Sequence, residues 1–201
     1  FVIYLNSMIQ ARLKYLAVAL ICLPVFFINI KTSHDWGDDF ATYIQQAKNI
    51  TTGTPQKQTG YLYNPEFLHL GPPTQPVGFP LLLAPVYAVF GNSIKHFDLY
   101  ISFFLFSFAM LMFYFFGKYY SVLISVLLVI VFVYNPYTLS FKMEIMSDIP
   151  FALLLLWCVI QYQKIKPFTY TNSILLALCT GFLISIRNIG MVFVIALVLD
   201  G

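Results

Sequence analysis

The chain has 201 residues, of which 60% are hydrophobic and only 9% charged, with a mean hydropathy of +0.80. A soluble domain carries roughly 25% charged residues, so a water-covered globule and a disordered chain are both excluded. Eleven Lys and Arg against eight Asp and Glu leave a net charge of +3; scattered as they are, they form no basic stripe, and nucleic acid is not expected as a partner.

The composition therefore points to an integral membrane protein, all-α, a polytopic transmembrane helical bundle. A spanning helix needs about 20 largely apolar residues. The expected spans are Leu13–Ile30, Phe97–Phe116, Tyr119–Asn135, Ile149–Tyr162, Ser173–Ile186 and, shorter, Ile189–Leu199. They make up five to six crossings of one domain over residues 1–201. The chain begins at Phe1 and stops at Asp200-Gly201 straight after an apolar run, which reads as the N-terminal part of a longer bundle with its C-terminal remainder missing. The run Tyr15–Ile30 has a positive flank, as a signal peptide would. No small-x-small cleavage site follows it, and further apolar runs do, so it reads as a retained anchor. Cys22, Cys158 and Cys179 all lie inside apolar runs and read as small buried hydrophobes.

Lys and Arg mark the cytoplasmic loops of membrane proteins. Arg12, Lys14, Lys118, Lys164 and Lys166 share one side if the N-terminus is cytoplasmic. The long loop 31–96, the short loop Pro136–Ser147 and Arg187 then face outward, together with nearly every carboxylate. Phe79–Phe90 holds Pro80 and Pro85 and reads as a re-entrant or interfacial helix.

In the first outer loop, His34-Asp35-Trp36-Gly37-Asp38-Asp39 leads into Phe40, Tyr43, Ile44, Ala47 and Ile50. That spacing is helical, and it predicts an amphipathic helix lying along the interface, ended by Gly53 and Pro55. Asp38 falls opposite the apolar stripe and Asp39 on its flank. An Asp at a helix start can simply cap exposed N–H groups. Two adjacent carboxylates do more: their repulsion raises one pKa and improves a general base. Farther on, Asp148 at the mouth of a span is either a helix N-cap or a functional acid: a supporting carboxylate behind the base, an acceptor contact or a metal ligand. Arg187 is either a snorkelling span-end residue or a phosphate holder, since guanidinium binds phosphate bidentately. Lys142 is a second, weaker phosphate candidate, and Glu144 a lesser acid. Tyr43, Tyr61 and Tyr63 are the aromatic candidates for stacking on a sugar. The three histidines match no metal spacing; His34 with Asp35 or Asp38 is the one arrangement that points to a divalent ion. No Walker loop, dinucleotide-binding glycine pattern or nucleophile elbow is present.

The series Gly37-Asp38-Asp39-Phe40-x-x-Tyr43-x-x-x-Ala47, then Gly53, then Pro76-x-Gly78-Phe79-Pro80-Leu81-Leu82-Leu83-Ala84 and Phe90-Gly91 resembles the GT-C glycosyltransferases. The likeness is to the bacterial branch related to protein O-mannosyltransferases and the lipid A aminoarabinose transferase (glycosyltransferase family 39-like). Ser147-Asp148-x-Pro150-Phe151 and Ile186-Arg187-Asn188-x-Gly190 follow in the same order, so the resemblance runs over residues 13–199. It implies a GT-C-like bundle with interfacial helices in the first outer loop, seated in a bacterial plasma membrane with its active face outward. It also implies inverting transfer of a sugar from a polyprenyl-phosphate donor to a lipid, glycan or protein hydroxyl. Asp38 would stand where the family has its base; Asp39 stands where the family usually has Glu. Asp39, Tyr43, Tyr63, Lys142, Asp148 and Arg187 are the expected substrate contacts, membrane lipid is the surrounding partner, and a divalent metal is the one cofactor to look for. The alternative is a transporter or flippase, not driven by ATP, for lipid-linked or small solutes. It predicts charges in mid-span and helices broken at the midplane.

Overall fold

A computed structural model describes residues 2–30, 32, 39–60, 66, 74–164 and 170–200. Among them the chain is helical throughout, with no strand. The helices are α1 (Val2–Cys22), α2 (Asp39–Thr52), α3 (Gly78–Phe90), α4 (Ile94–Phe116), α5 (Val122–Val133), α6 (Pro136–Met143), α7 (Asp148–Lys164), α8 (Tyr170–Ile186) and α9 (Met191–Asp200).

Local chemistry sets most boundaries. Pro24 turns the chain out of α1 into a short 3-10 stretch, Leu23–Phe26. Gly53 ends α2 at φ +68°, a conformation that costs glycine little. Ser121 caps α5 by accepting from Ile124 N at 3.4 Å. Asn135 then caps α6, accepting from Tyr137 N at 2.9 Å, with Pro136 in the first helical position. Proline cannot continue α5, so the axis bends by 52° there. This divides the expected span Tyr119–Asn135: α5 alone is 12 residues, about 18 Å at 1.5 Å per residue.

Among the described residues, α4 is long and apolar enough to cross a bilayer, joined by α5 with α6 if that bent pair is one span. α3, α8 and the stretch Asn188–Asp200 are apolar but shorter. The expected Ile189–Leu199 span is a 3-10 turn, Asn188–Gly190, followed by the ten residues of α9.

Side-chain contacts fix the direction of each helix. Tyr15 of α1 packs edge-on against Phe113 near the end of α4, ring centroids 5.2 Å apart. The Ile28 carbonyl beyond α1 reaches Lys142 of α6, which pairs with Asp98 near the start of α4. So α1 and α4 are antiparallel. Lys164 at the end of α7 lies over Tyr114 of α4, which makes α7 parallel to α4. Arg187 beyond α8 pairs with Asp148 at the start of α7, and Asp200 at the end of α9 accepts from Tyr162 near the end of α7. One end of the bundle thus gathers Asp98, Lys142, Asp148 and Arg187. The other gathers Lys14, Lys118 and Lys164.

The core lies between α1, α3, α4, α5 and α7. Phe97, Ile101, Leu105 and Ala109 of α4 are fully buried at four-residue intervals, against Phe79 and Leu83 of α3 and Val133 of α5. The outward faces are just as apolar: Phe27, Leu123, Val131, Leu178 and Val198 all stand exposed. Cys22 and Cys158 are buried and Cys179 half-buried, all as free thiols.

Candidate functional site

The α2 stripe is helical as expected, with Phe40, Tyr43, Ile44 and Ala47 buried. It packs against α3, with the Tyr43 ring edge-on to Phe79 at 4.8 Å. The opposite face is occupied too. Gln46 donates to the Gln75 carbonyl and accepts from Gln75 N, both at 3.0 Å. Asn49 donates to the carbonyls of Pro55 and Gln58 at 3.2 and 3.0 Å. Buried amides need such partners; these clamp the outer loop onto α2 and leave Ala41, Lys48, Thr51 and Thr52 as its exposed side.

Gly78 and Phe79 pin α2 to the end of α8. A Cβ at position 78 would meet Ser185 Oγ at 2.4 Å, Ser185 C at 2.6 Å and Ile186 N at 2.7 Å. The two backbones can approach this closely only because position 78 lacks a side chain. Arg187 follows directly, with extended backbone (φ −148°, ψ 131°), in the break between α8 and the next turn. Gly78→Ala is accordingly expected to cost about 1–3 kcal/mol by overpacking, read as a lower thermal midpoint. Ser185→Ala on that background should not restore it, since backbone atoms crowd the position.

The turn from α6 to α7 is held in an unusual conformation. Ile145 is fully buried at φ 52°, where β-branched residues rarely sit. Such strain costs about 1–3 kcal/mol and persists only when surrounding packing enforces it. The turn presents Ser147 and Asp148. Ser147 O accepts from Phe151 N at 3.0 Å, the first backbone bond of α7.

Asp39, Tyr43, Asp148 and Arg187 come together here. Arg187 and Asp148 form an ion pair, their side chains 37% and 30% exposed, open enough to meet a ligand. Asp148 Oδ2 is buried with no hydrogen-bond partner among the described residues. The Tyr43 hydroxyl is 3.3 Å from Ser147 Oγ. Burial pushes the Tyr43 phenol above its usual pKa; the Ser147 bond lowers it, Asp39 and Asp148 raise it and Arg187 lowers it. Tyr43 is thus protonated and within the field of three charged groups. Asp39 accepts from Gln75 Nε2 at 2.9 Å. Asp38 and Tyr63 lie outside the described residues, as do His34, Asp35 and Tyr61.

Lys142 requires a correction. Its ammonium is fully buried, 2.9 Å from Asp98 Oδ1 and 2.9 Å from the Ile28 carbonyl it donates to. A lysine committed to a buried carboxylate is not offered to a phosphate. Glu144 accepts from Ser140 Oγ at 2.6 Å within α6. Asp98 was the residue missed in the sequence: an acid at the head of an apolar span and a lysine on the same membrane side were the available signal.

Two hollows lie along α7, one of them lined by Asp148. One, of about 490 Å³, is lined by Asp148, Asn135, Tyr137, Thr138, Phe108 and Phe132 among others. The second, of about 340 Å³, is almost wholly apolar, formed by Leu82, Phe104, Pro150, Leu153, Leu154, Trp157, Phe182 and Ile186. Its lining residues Pro150 and Ile186 stand two positions after Asp148 and one before Arg187 in the chain. Among the described residues, no group of three His, Cys, Asp or Glu side chains comes together to hold a metal ion. Comparison with protein-family models, curated proteins and solved structures finds no match to this chain.

Proposed function

We propose that the chain belongs to a polytopic membrane glycosyltransferase of GT-C type. It moves a sugar from a polyprenyl-phosphate donor to an acceptor hydroxyl on the extracytoplasmic face of a bacterial plasma membrane, with inversion. The observation that carries this reading is a charged site at the edge of a largely apolar hollow: Asp148, paired with Arg187 and with Tyr43 and Asp39 near, lines a hollow walled by Phe108, Phe132, Phe141 and Phe151, and an apolar slot runs farther along α7. A lipid-linked sugar has the same two-part chemistry, a phosphate on a long hydrocarbon chain.

In this reading the apolar slot takes the prenyl chain, and Arg187 holds the phosphate as it gains negative charge on leaving. Asp38 removes the acceptor proton, and Asp148 orients Arg187 while its second oxygen accepts from the acceptor. The outward apolar faces of the helices would lie in hydrocarbon, since exposed apolar surface on this scale is not kept in water. Shorter helices are accommodated by tilt and local thinning.

The transporter reading draws on one observation, the charged pair Asp98–Lys142 inside the bundle. Asp98 sits only about one turn into α4, and the pair is locked by a backbone carbonyl, which makes it a brace rather than a relay.

The test is donor turnover by the full-length protein with a panel of polyprenyl-phosphate sugars. Turnover of at least one is expected. Arg187→Ala should raise the donor KM more than the acceptor KM; a change confined to the acceptor would remove the phosphate role, and no turnover across the panel would remove the enzyme.

A further inference from the structure

The end of the bundle opposite the charged site carries a second constellation. Lys118 lies 4.7 Å from the centroid of the Tyr114 ring and Lys164 lies 5.3 Å from it. One ammonium from the turn after α4 and one from the end of α7 therefore converge on one aromatic side chain. Lys14 of α1, Lys118 and Tyr114 line a cleft of about 430 Å³ with Gln10, Tyr15, Phe113 and Val122, and Lys164 reaches it over the Tyr114 ring. All three lysines are exposed. Among the described residues their ammoniums have no carboxylate partner; the ion pairs there are Lys142–Asp98 and Arg187–Asp148. Asp200, the acid at this end, accepts from the Tyr162 hydroxyl.

Three like charges drawn together raise each other's energy, and an anion between them relieves it. The cleft is not simply a polar anion site. Its walls are the rings of Tyr15, Phe113 and Tyr114 with Val122, and the surface around it exposes Leu13, Leu16, Tyr119, Tyr120 and Leu123. Tyrosines and lysines at the end of a spanning helix mark the headgroup level of a bilayer. A ligand that suits both parts has a phosphate at one end and hydrocarbon at the other.

We propose that this cleft is a binding site for an anionic glycerophospholipid of the cytoplasmic leaflet, its phosphate among Lys14, Lys118 and Lys164 and its acyl chains along α1 and α5. Basic pockets between helices on the cytoplasmic side hold such headgroups in general. The proposal rests on the bilayer placement above but not on sugar transfer.

The test uses the full-length protein purified in neutral detergent and native mass spectrometry. Phosphatidylglycerol, phosphatidylcholine and inorganic phosphate are added in turn. Phosphatidylglycerol adducts are expected to outnumber phosphatidylcholine adducts. The Lys14→Gln/Lys118→Gln/Lys164→Gln variant should bind phosphatidylglycerol about tenfold or more weakly. Lys118→Arg/Lys164→Arg should keep the preference, since charge and ring contact survive. If the neutral triple variant does not fold, the single Lys118→Gln change should still lower the preference.

Equal adducts with both lipids, or an unchanged preference in the neutral variants, would overturn the site. Displacement of the lipid by an equal concentration of inorganic phosphate would make it a soluble-anion site and overturn the lipid assignment. A carbonate wash separates the two levels of failure. Release of the chain from membranes removes the bilayer placement and this site together, whereas retention without lipid preference removes this site alone. Sugar transfer on the same samples reports only on the opposite end.

Discussion

Asp38→Asn should leave the full-length protein folded and in the membrane but without measurable sugar transfer. Asn matches Asp in size and removes the negative charge that, in the proposed function, takes the acceptor proton. A positioned general base contributes about 10²–10⁴ in rate, so the residual should sit near background. Folding is not expected to suffer, because the described part of α2 is held by other means: Tyr43 on Phe79, Gln46 on Gln75 and Asn49 on the carbonyls of Pro55 and Gln58. Asp39→Asn is the instructive companion. Its carboxylate already accepts from Gln75, so its loss should disturb the loop and slow transfer less than the change at position 38. Wild-type transfer by Asp38→Asn would remove the base assignment, and a larger loss at position 39 would move the base by one residue.

The second large effect is on stability. Lys142→Met should destabilise the protein by about 3–5 kcal/mol, since removing one member of a buried pair leaves an uncompensated charge in the interior. Asp98 and Lys142 are both fully buried and 2.9 Å apart. Replacing both partners by apolar groups of similar volume is often neutral, so Asp98→Leu/Lys142→Met should recover most of the loss. Thermal unfolding in detergent would measure both. The single variant should unfold at a much lower temperature than wild type, and the double close to it. A single variant as stable as wild type would mean that water reaches the pair in the native protein. The pair ties α6 to α4 and to the Ile28 carbonyl. It stands three residues before Ile145, so it is well placed to hold the strained turn that presents Asp148.

Much of the helical pattern was legible from the sequence because helices here are ended by local chemistry. The expected Phe97–Phe116 became Ile94–Phe116, Ile149–Tyr162 became Asp148–Lys164, and Phe79–Phe90 became Gly78–Phe90. Gly53 and Asn135-Pro136 act through their own backbone preferences and need no partner to do so. The scarcity of charge was equally local information, and it drew attention to Asp148 and Arg187 while passing over Asp98.

Partner choice was not local. Asp98 meets Lys142 across 44 positions, and Asp148 meets Arg187 across 39. Neither distance along the chain says which opposite charge will be nearest, and only the directions of α4, α7 and α8 bring them together. For the same reason Lys142 read as a ligand for phosphate when its charge is spent inside the core. The α2 stripe read as lipid-facing because a helix pattern records an apolar side but not what covers it; α3 covers it, through a glycine that lets α3 itself reach α8. Composition, helix ends and the set of candidate groups belong to the sequence by itself, because they depend on neighbours within one turn. Which charges pair, which face is buried and where the apolar groove meets the polar site were decided by packing, because those energies exist only between segments far apart in the chain.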